Sequence, residues 1–189
     1  MKILLTGGSG QLGKEIISQI PKNIELIDTN RDSLDLQNPT SCLNAIDFYK
    51  PDWLINCGAY TNVDKAESES TKAMQINALA PKLFAEKLKI NGGKILQIST
   101  DYVFDGNQRI PYLPSDKKNP LNVYGISKSN GEDYIKEILN ETNQGLILRT
   151  SSVIGSTGKN FAITMIKKDA FSSLPNQIFM VAGGDSLNR

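Results

Sequence analysis

The stretch Met1-Lys2-Ile3-Leu4-Leu5-Thr6-Gly7-Gly8-Ser9-Gly10-Gln11-Leu12-Gly13 decides the fold. A short apolar run, Ile3 to Thr6, reaches a glycine turn. It passes directly into Gln11 to Ile20, where Leu12, Ile16, Ile17 and Ile20 share one helical face before Pro21. The glycines satisfy G-x-x-G-x-x-G from Gly7 and G-x-G-x-x-G from Gly8. Glycines also mark ordinary turns, so the strand before them and the helix after them carry the inference. A pyrophosphate needs a tight turn, close backbone approach and a helix packed near its strand. The helix N-terminus then offers free N–H groups and partial positive charge. Gly7, Gly10, Gln11, Leu12 and Gly13 are therefore candidate contacts for a dinucleotide.

Working outward, strand-like and helix-like segments alternate. Ile24 to Ile27, Trp53 to Ile55, Lys94 to Ser99 and Gly145 to Arg149 read as strands, with a further one at Gln177 to Val181. Helices are expected over Pro39 to Tyr49, Asp64 to Ile90, Val123 to Asn140 and Asn160 to Ala170. Pro81 lies inside the second of these and predicts a kink or break near Ala80. This order implies an α/β, Rossmann-like doubly wound parallel sheet. Its carboxyl edge, where ligands bind, would carry Gly7, Asp28, Asn56 to Thr61, Ser99 to Asp101 and Arg149 to Ser152. Residues 100–122 hold three prolines and no periodicity, which suggests a functional or mobile loop.

The 189 residues carry 21 Lys+Arg against 20 Asp+Glu, and this balance argues against a nucleic-acid or polybasic membrane surface. Histidine is absent, which removes the Ser-His-Asp triad, the Cys-His pair and imidazole zinc sites. Cys42 and Cys57 have no metal or redox spacing and read as small buried apolar residues in a reducing compartment, so no metal is expected. With no signal-like or spanning segment, a soluble cytoplasmic protein is expected.

An acid about twenty residues after the glycines can accept from an adenosine ribose, and Asp28 stands there. That favours NAD, whereas Arg31 could instead pair with a 2′-phosphate, so acceptance of both NADH and NADPH is expected. Asp35 and Leu36 are placed by the adenine. Tyr124-Gly125-Ile126-Ser127-Lys128 puts a phenol and an ammonium on one helical face. A free phenol titrates near 10, and a nearby ammonium and helix N-terminus would lower it toward useful acid–base range. A hydroxyl opposite it, from Ser99 or Thr100, would orient a carbonyl; alternation along the strand allows only one of the two.

These features together resemble the extended branch of the short-chain dehydrogenase/reductase superfamily. Asn56-Cys57-Gly58-Ala59-Tyr60-Thr61-Asn62-Val63-Asp64-Lys65-Ala66-Glu67 and Ser99-Thr100-Asp101-Tyr102-Val103-Phe104-Asp105-Gly106 sharpen the match. With Pro120-Leu121-Asn122-Val123-Tyr124-Gly125, Arg149-Thr150-Ser151 and Asn160-Phe161-Ala162, they resemble the dTDP-4-dehydrorhamnose reductase family over nearly the whole chain. The resemblance implies reduction of the 4-keto group of a nucleotide-linked 6-deoxyhexulose by NADH or NADPH. In it Tyr124 gives the proton, Lys128 lowers the phenol and holds the nicotinamide ribose, and Thr100 positions the carbonyl. It further implies that Ala59, Tyr60, Thr61 and Ile98 line the cofactor, and that Thr100 and Asp101 meet the sugar. Ser152 stands in the substrate region where the family commonly has Trp, so sugar or nucleotide preference is expected to differ. The chain also reads as one dinucleotide-binding domain, residues 1–189, without the smaller substrate lobe. A nucleotide-sugar epimerase or dehydratase and a non-catalytic dinucleotide-binding subunit are the rival readings. A homodimer is compatible with all three.

Overall fold

A computed structural model describes residues 1–151, 153 and 154. Among the described residues, five parallel strands form one sheet: β1 (Lys2–Thr6), β2 (Glu25–Thr29), β3 (Trp53–Asn56), β4 (Lys94–Thr100) and β5 (Gly145–Thr150). Their order is β2-β1-β3-β4-β5, so strand order reverses between β1 and β3. The helices are α1 (Gln11–Gln19), α2 (Pro39–Tyr49), α3 (Val63–Ser68), α4 (Ser70–Met74), α5 (Ala80–Asn91) and α6 (Val123–Ile138). Right-handed crossovers place α1 on one face and α2, α5 and α6 on the other. This is the expected doubly wound α/β fold. The segments read as helix at Asn160 to Ala170 and strand at Gln177 to Val181 lie outside the described residues.

Register explains the core. Ile27, Leu4, Leu54 and Ile95 form one row across β2, β1, β3 and β4. Against that row pack Ile46 of α2, Phe84 and Leu88 of α5, and Ile135 of α6, with Leu139 just beyond it. Each fully buried side chain of this size contributes about 1.5–3 kcal/mol. Gly145 continues the row on β5, where a Cβ would meet Leu139 and Ile135 at 3.2 and 3.3 Å. At the carboxyl end the row turns polar. Thr6 Oγ1 donates to Asn56 Oδ1 at 2.5 Å, and Asn56 Nδ2 donates to Gln97 Oε1 at 2.7 Å. These buried amides are satisfied across three strands, so the sheet edge can be polar without the desolvation cost of orphaned groups.

The helix expected over Asp64 to Ile90 is divided into α3, α4, a π-helical turn (Gln75–Leu79) and α5. The break between α3 and α4 falls at Glu69, whose φ −113° and ψ 39° are not helical. Pro81, in the first turn of α5, accounts for the π-helical turn. It has no N–H for the Asn77 carbonyl, and the chain widens to pass it. The second break therefore falls just before Ala80, as the proline implied. The strand read as Ile24 to Ile27 is shifted and extended, running from Glu25 to Thr29, because the Thr29 hydroxyl also donates to the Leu5 carbonyl at 2.8 Å.

Candidate active site

A crevice of about 760 Å³ opens along the carboxyl edge of the sheet, where strand order reverses. The glycine turn forms one end. Gly7 has φ +71°, and a Cβ there would come within 2.7 Å of the Gly58 nitrogen. A Cβ at Gly13 would come within 2.6 Å of the Gly8 Cα. Close packing of turn, helix and the β3 edge therefore requires hydrogen at both positions. The resulting cradle at the α1 N-terminus fits a dinucleotide pyrophosphate. Gly7, Gly10, Gln11, Leu12, Gly13, Asp35, Leu36, Ala59, Thr61, Ile98, Thr100, Tyr124 and Lys128 all line the crevice.

Three expected residues do not line it. Asp28 lies against the turn, with its carboxylate where a Gly8 side chain would stand, and the β2 end of the crevice is made by Thr29, Asn30 and Arg31 instead. Tyr60 turns its ring outward. Its hydroxyl donates to Glu69 Oε2 at 3.1 Å, while Asn77 holds its backbone N–H and C=O at 2.8 and 2.9 Å. Asp101 is exposed and receives the Thr100 hydroxyl at 3.1 Å. Ser152 lies outside the described residues. Cys42 is buried as expected, whereas Cys57 is only partly buried and sits in the crevice wall; both are free thiols.

The Tyr124 phenol sits at the start of α6, half-buried. Asn122 caps that helix by accepting from Gly125 N–H at 2.7 Å, and Glu67 of α3 accepts from Val123 N–H at 2.8 Å. Gly125 leaves room for the Tyr102 carbonyl, which a Cβ would strike. The Tyr102 ring meets Tyr124 edge-on at 5.6 Å. Burial pushes the Tyr124 phenol above its ordinary value; the nearby Thr100 hydroxyl acts the other way, and Asp101 and Tyr102 add to the rise. The expected lowering by Lys128 is absent from this arrangement. The Lys128 ammonium instead donates to the Ile98 carbonyl at 2.6 Å, deep against β4. Burial pulls that lysine down to about 8, against the opposing charges of Glu132 and Cys57. The lysine therefore still carries its charge at pH 7, and burial favours the neutral phenol.

Ser99 and Thr100 both border the crevice but serve different partners. Ser99 Oγ donates to Glu132 at 2.6 Å, whereas Thr100, whose hydroxyl donates to Asp101, lines the crevice with Tyr124. Glu132 and Asn77 are the polar residues that sequence reading missed. Asn77 Nδ2 also reaches Ser127 Oγ at 3.0 Å, between Tyr124 and Lys128 on the chain. The asparagine beside a helix-breaking Pro81 was the available signal.

The loop after β4 is tied rather than open. Phe104 and Tyr112 stack at 4.2 Å. Asp105 accepts from Asn119 Nδ2 at 3.0 Å and Tyr112 hydroxyl at 2.7 Å, and these bonds, with the Asn107 backbone, hold its carboxyl far below the usual range. Among the described residues no helix is long and apolar enough to cross a membrane, and no cluster suited to a metal ion is found.

Known proteins of this kind share the sequence and the fold. The chain is 38% identical to the dTDP-4-dehydrorhamnose reductase of Burkholderia thailandensis, over 88% of this chain and 55% of that protein. It is 39% identical to the Escherichia coli enzyme of the same name, over 88% and 56%. The crystal structure of a Clostridium acetobutylicum dTDP-4-dehydrorhamnose reductase superposes with TM-score 0.84 at 41% identity, covering 90% of this chain and 60% of that one. A Bacillus anthracis dTDP-4-dehydrorhamnose reductase, solved in complex with NADP, gives TM-score 0.83 at 34% identity, over 90% and 60%. The chain thus spans a little over half the length of the curated relatives it matches. Residues 1–182 match the RmlD substrate binding domain, and the chain belongs to that family.

Proposed function

We propose that this chain carries the dinucleotide-binding and proton-donating half of a reductase. It acts on the 4-keto group of a nucleotide-linked 6-deoxyhexulose, converting dTDP-4-dehydro-L-rhamnose to dTDP-L-rhamnose. The observation that supports this best is the convergence of the Tyr124 phenol, the Thr100 hydroxyl and the Lys128 ammonium on one crevice whose other end is the glycine turn. The names of the relatives support the same substrate class.

When bound, the dinucleotide supplies a hydride to the substrate carbonyl carbon. Tyr124, kept protonated by burial, gives its hydroxyl proton to the carbonyl oxygen, so the ketone gains the hydride and that proton to become the alcohol. Thr100 orients the carbonyl, and Lys128 is placed to hold the nicotinamide ribose and to offset charge on the phenolate left behind. Arg31 at the β2 end of the crevice can pair with a 2′-phosphate, and Asp28 beside the glycine turn can accept from a ribose hydroxyl, so the reading covers NADPH and NADH alike. Substrate and dimer partner surfaces, and a cytoplasmic setting for this sugar-nucleotide chemistry, belong to the same proposal.

The test follows NADPH absorbance with dTDP-4-dehydro-L-rhamnose. Tyr124→Phe should lower kcat at least about a hundredfold with little change in NADPH affinity. Full activity in that variant would remove the proposed acid. Tightly retained NAD with no net consumption of reduced coenzyme would favour an epimerase or dehydratase.

A further inference from the structure

Residues 124, 128 and 132 of α6 lie four apart, on one face of the helix. Each meets a successive residue at the end of β4. The Lys128 ammonium donates to the Ile98 carbonyl, Glu132 Oε1 accepts from the Ser99 hydroxyl, and Tyr124 lines the crevice together with Thr100. Only Glu132 has no part in the proposed chemistry, yet it is fully buried and is the most heavily bonded of the three.

Its partners come from three directions. Arg149 of β5 grips it with two bonds, Nε to Oε1 at 2.8 Å and Nη2 to Oε2 at 2.6 Å. Lys118 of the loop lies 3.5 Å from Oε2 and is shared with Asp133. Arg149 also donates to the Pro114 carbonyl at 3.1 Å and lies 5.0 Å from the centre of the Phe104 ring. Burial alone would push the Glu132 carboxyl up; the bonds from Arg149 and Ser99 and the charges of Arg149 and Lys118 outweigh it and hold it below the usual range. A buried ion pair is weak evidence of a gain in stability, because desolvation offsets most of its attraction. What this one does supply is a fixed geometry joining helix, two strands and loop.

We propose that Glu132 is a positioning residue: by receiving Ser99, Arg149 and Lys118 together it locks the end of β4 against α6, so that Thr100, the next residue on the strand, stays beside Tyr124 in the crevice. The idea rests on the reading of Tyr124 and Thr100 as the reacting pair. A geometric error of about 1 Å at such a pair costs up to about a hundredfold in rate.

Two variants test it. Ser99→Ala deletes only the link to the strand end and keeps the Glu132–Arg149 pair; Glu132→Gln removes the charge that gathers all three partners. The first readout is the near-ultraviolet titration of Tyr124, obtained by subtracting a Tyr124→Phe background, and it needs no substrate. Both variants should move that titration further upward than in the wild type, because the nearby Thr100 hydroxyl is what opposes the rise and a loosened strand end carries it away. The second readout is turnover, where kcat should fall about tenfold or more while KM for NADPH changes less than about threefold. An unchanged Tyr124 titration in folded Ser99→Ala would overturn the proposal, whatever the loss of stability. If Glu132→Gln does not fold, Ser99→Ala alone decides. Should the wild-type chain reduce no keto sugar, the functional reading fails, and the titration still decides the role of Glu132.

Discussion

Replacing Lys128 by methionine is expected to stabilise the protein at neutral pH and to destabilise it slightly in alkali. Lys128 is 4% exposed, and its ammonium is pulled from the ordinary 10.5 to about 8, first by burial. A lysine with a lowered folded-state value binds protons more weakly in the native state than in the unfolded one. Stability therefore rises with pH between about 8 and 10.5, and the protonated lysine costs the fold its full penalty below 8. That penalty is about 3 kcal/mol. Methionine has similar length and removes it, but also removes the bond to the Ile98 carbonyl, worth about 1 kcal/mol. The carbonyl itself stays satisfied, because Gln97 Nε2 donates to it at 2.8 Å. The net expectation is a gain of about 2 kcal/mol at pH 7, seen as a urea midpoint higher by about 1 M. Above pH 10.5 the lysine is neutral in both states, and the variant should be about 1 kcal/mol less stable. Urea titrations of both proteins across this range read the difference directly, since the other titrating groups cancel between them. A Lys128→Met protein less stable at pH 7, or a difference that ignores pH, would refute the reasoning. The physical content is that this lysine is retained at a cost to the fold, as expected of a residue kept for chemistry.

Two more expectations follow from the same coordinates. Arg31→Ala should weaken NADPH binding about tenfold or more and leave NADH nearly unaffected, by calorimetric titration of each coenzyme, because only the former carries a 2′-phosphate for the guanidinium. Asn77→Ala should cost about 2–4 kcal/mol in urea unfolding, since it strips partners from the backbone N–H and C=O of Tyr60 and from the Ser127 hydroxyl.

The legible parts of the site are those built from neighbours in sequence. The strand–glycine–helix unit at Met1 to Ile20 and the i, i+4 pair Tyr124–Lys128 depend on local periodicity alone, and both line the crevice. Asp28 stands off the crevice lining because the ladder continues one residue further, to Thr29, and its carboxylate rests against the glycine turn. The outward turn of the Tyr60 ring is not readable locally, because Asn77, seventeen residues away, fixes its backbone and Glu69 draws its hydroxyl outward. The tied loop that follows β4 was legible as unusual, but its anchors on Arg149 were not.

The order of apolar runs, glycines and prolines by itself determined the parallel sheet, the helix break at Pro81 and the position of the crevice. Periodicity and backbone freedom act over a few residues, so they can be read in a line of letters. Tertiary structure alone decided which hydroxyl faces the phenol, where the lysine head rests and what Glu132 gathers. Those outcomes depend on buried polar groups finding partners across β4, β5 and α6. The desolvation cost of leaving any of them unpaired is paid or avoided only when the elements close on one another.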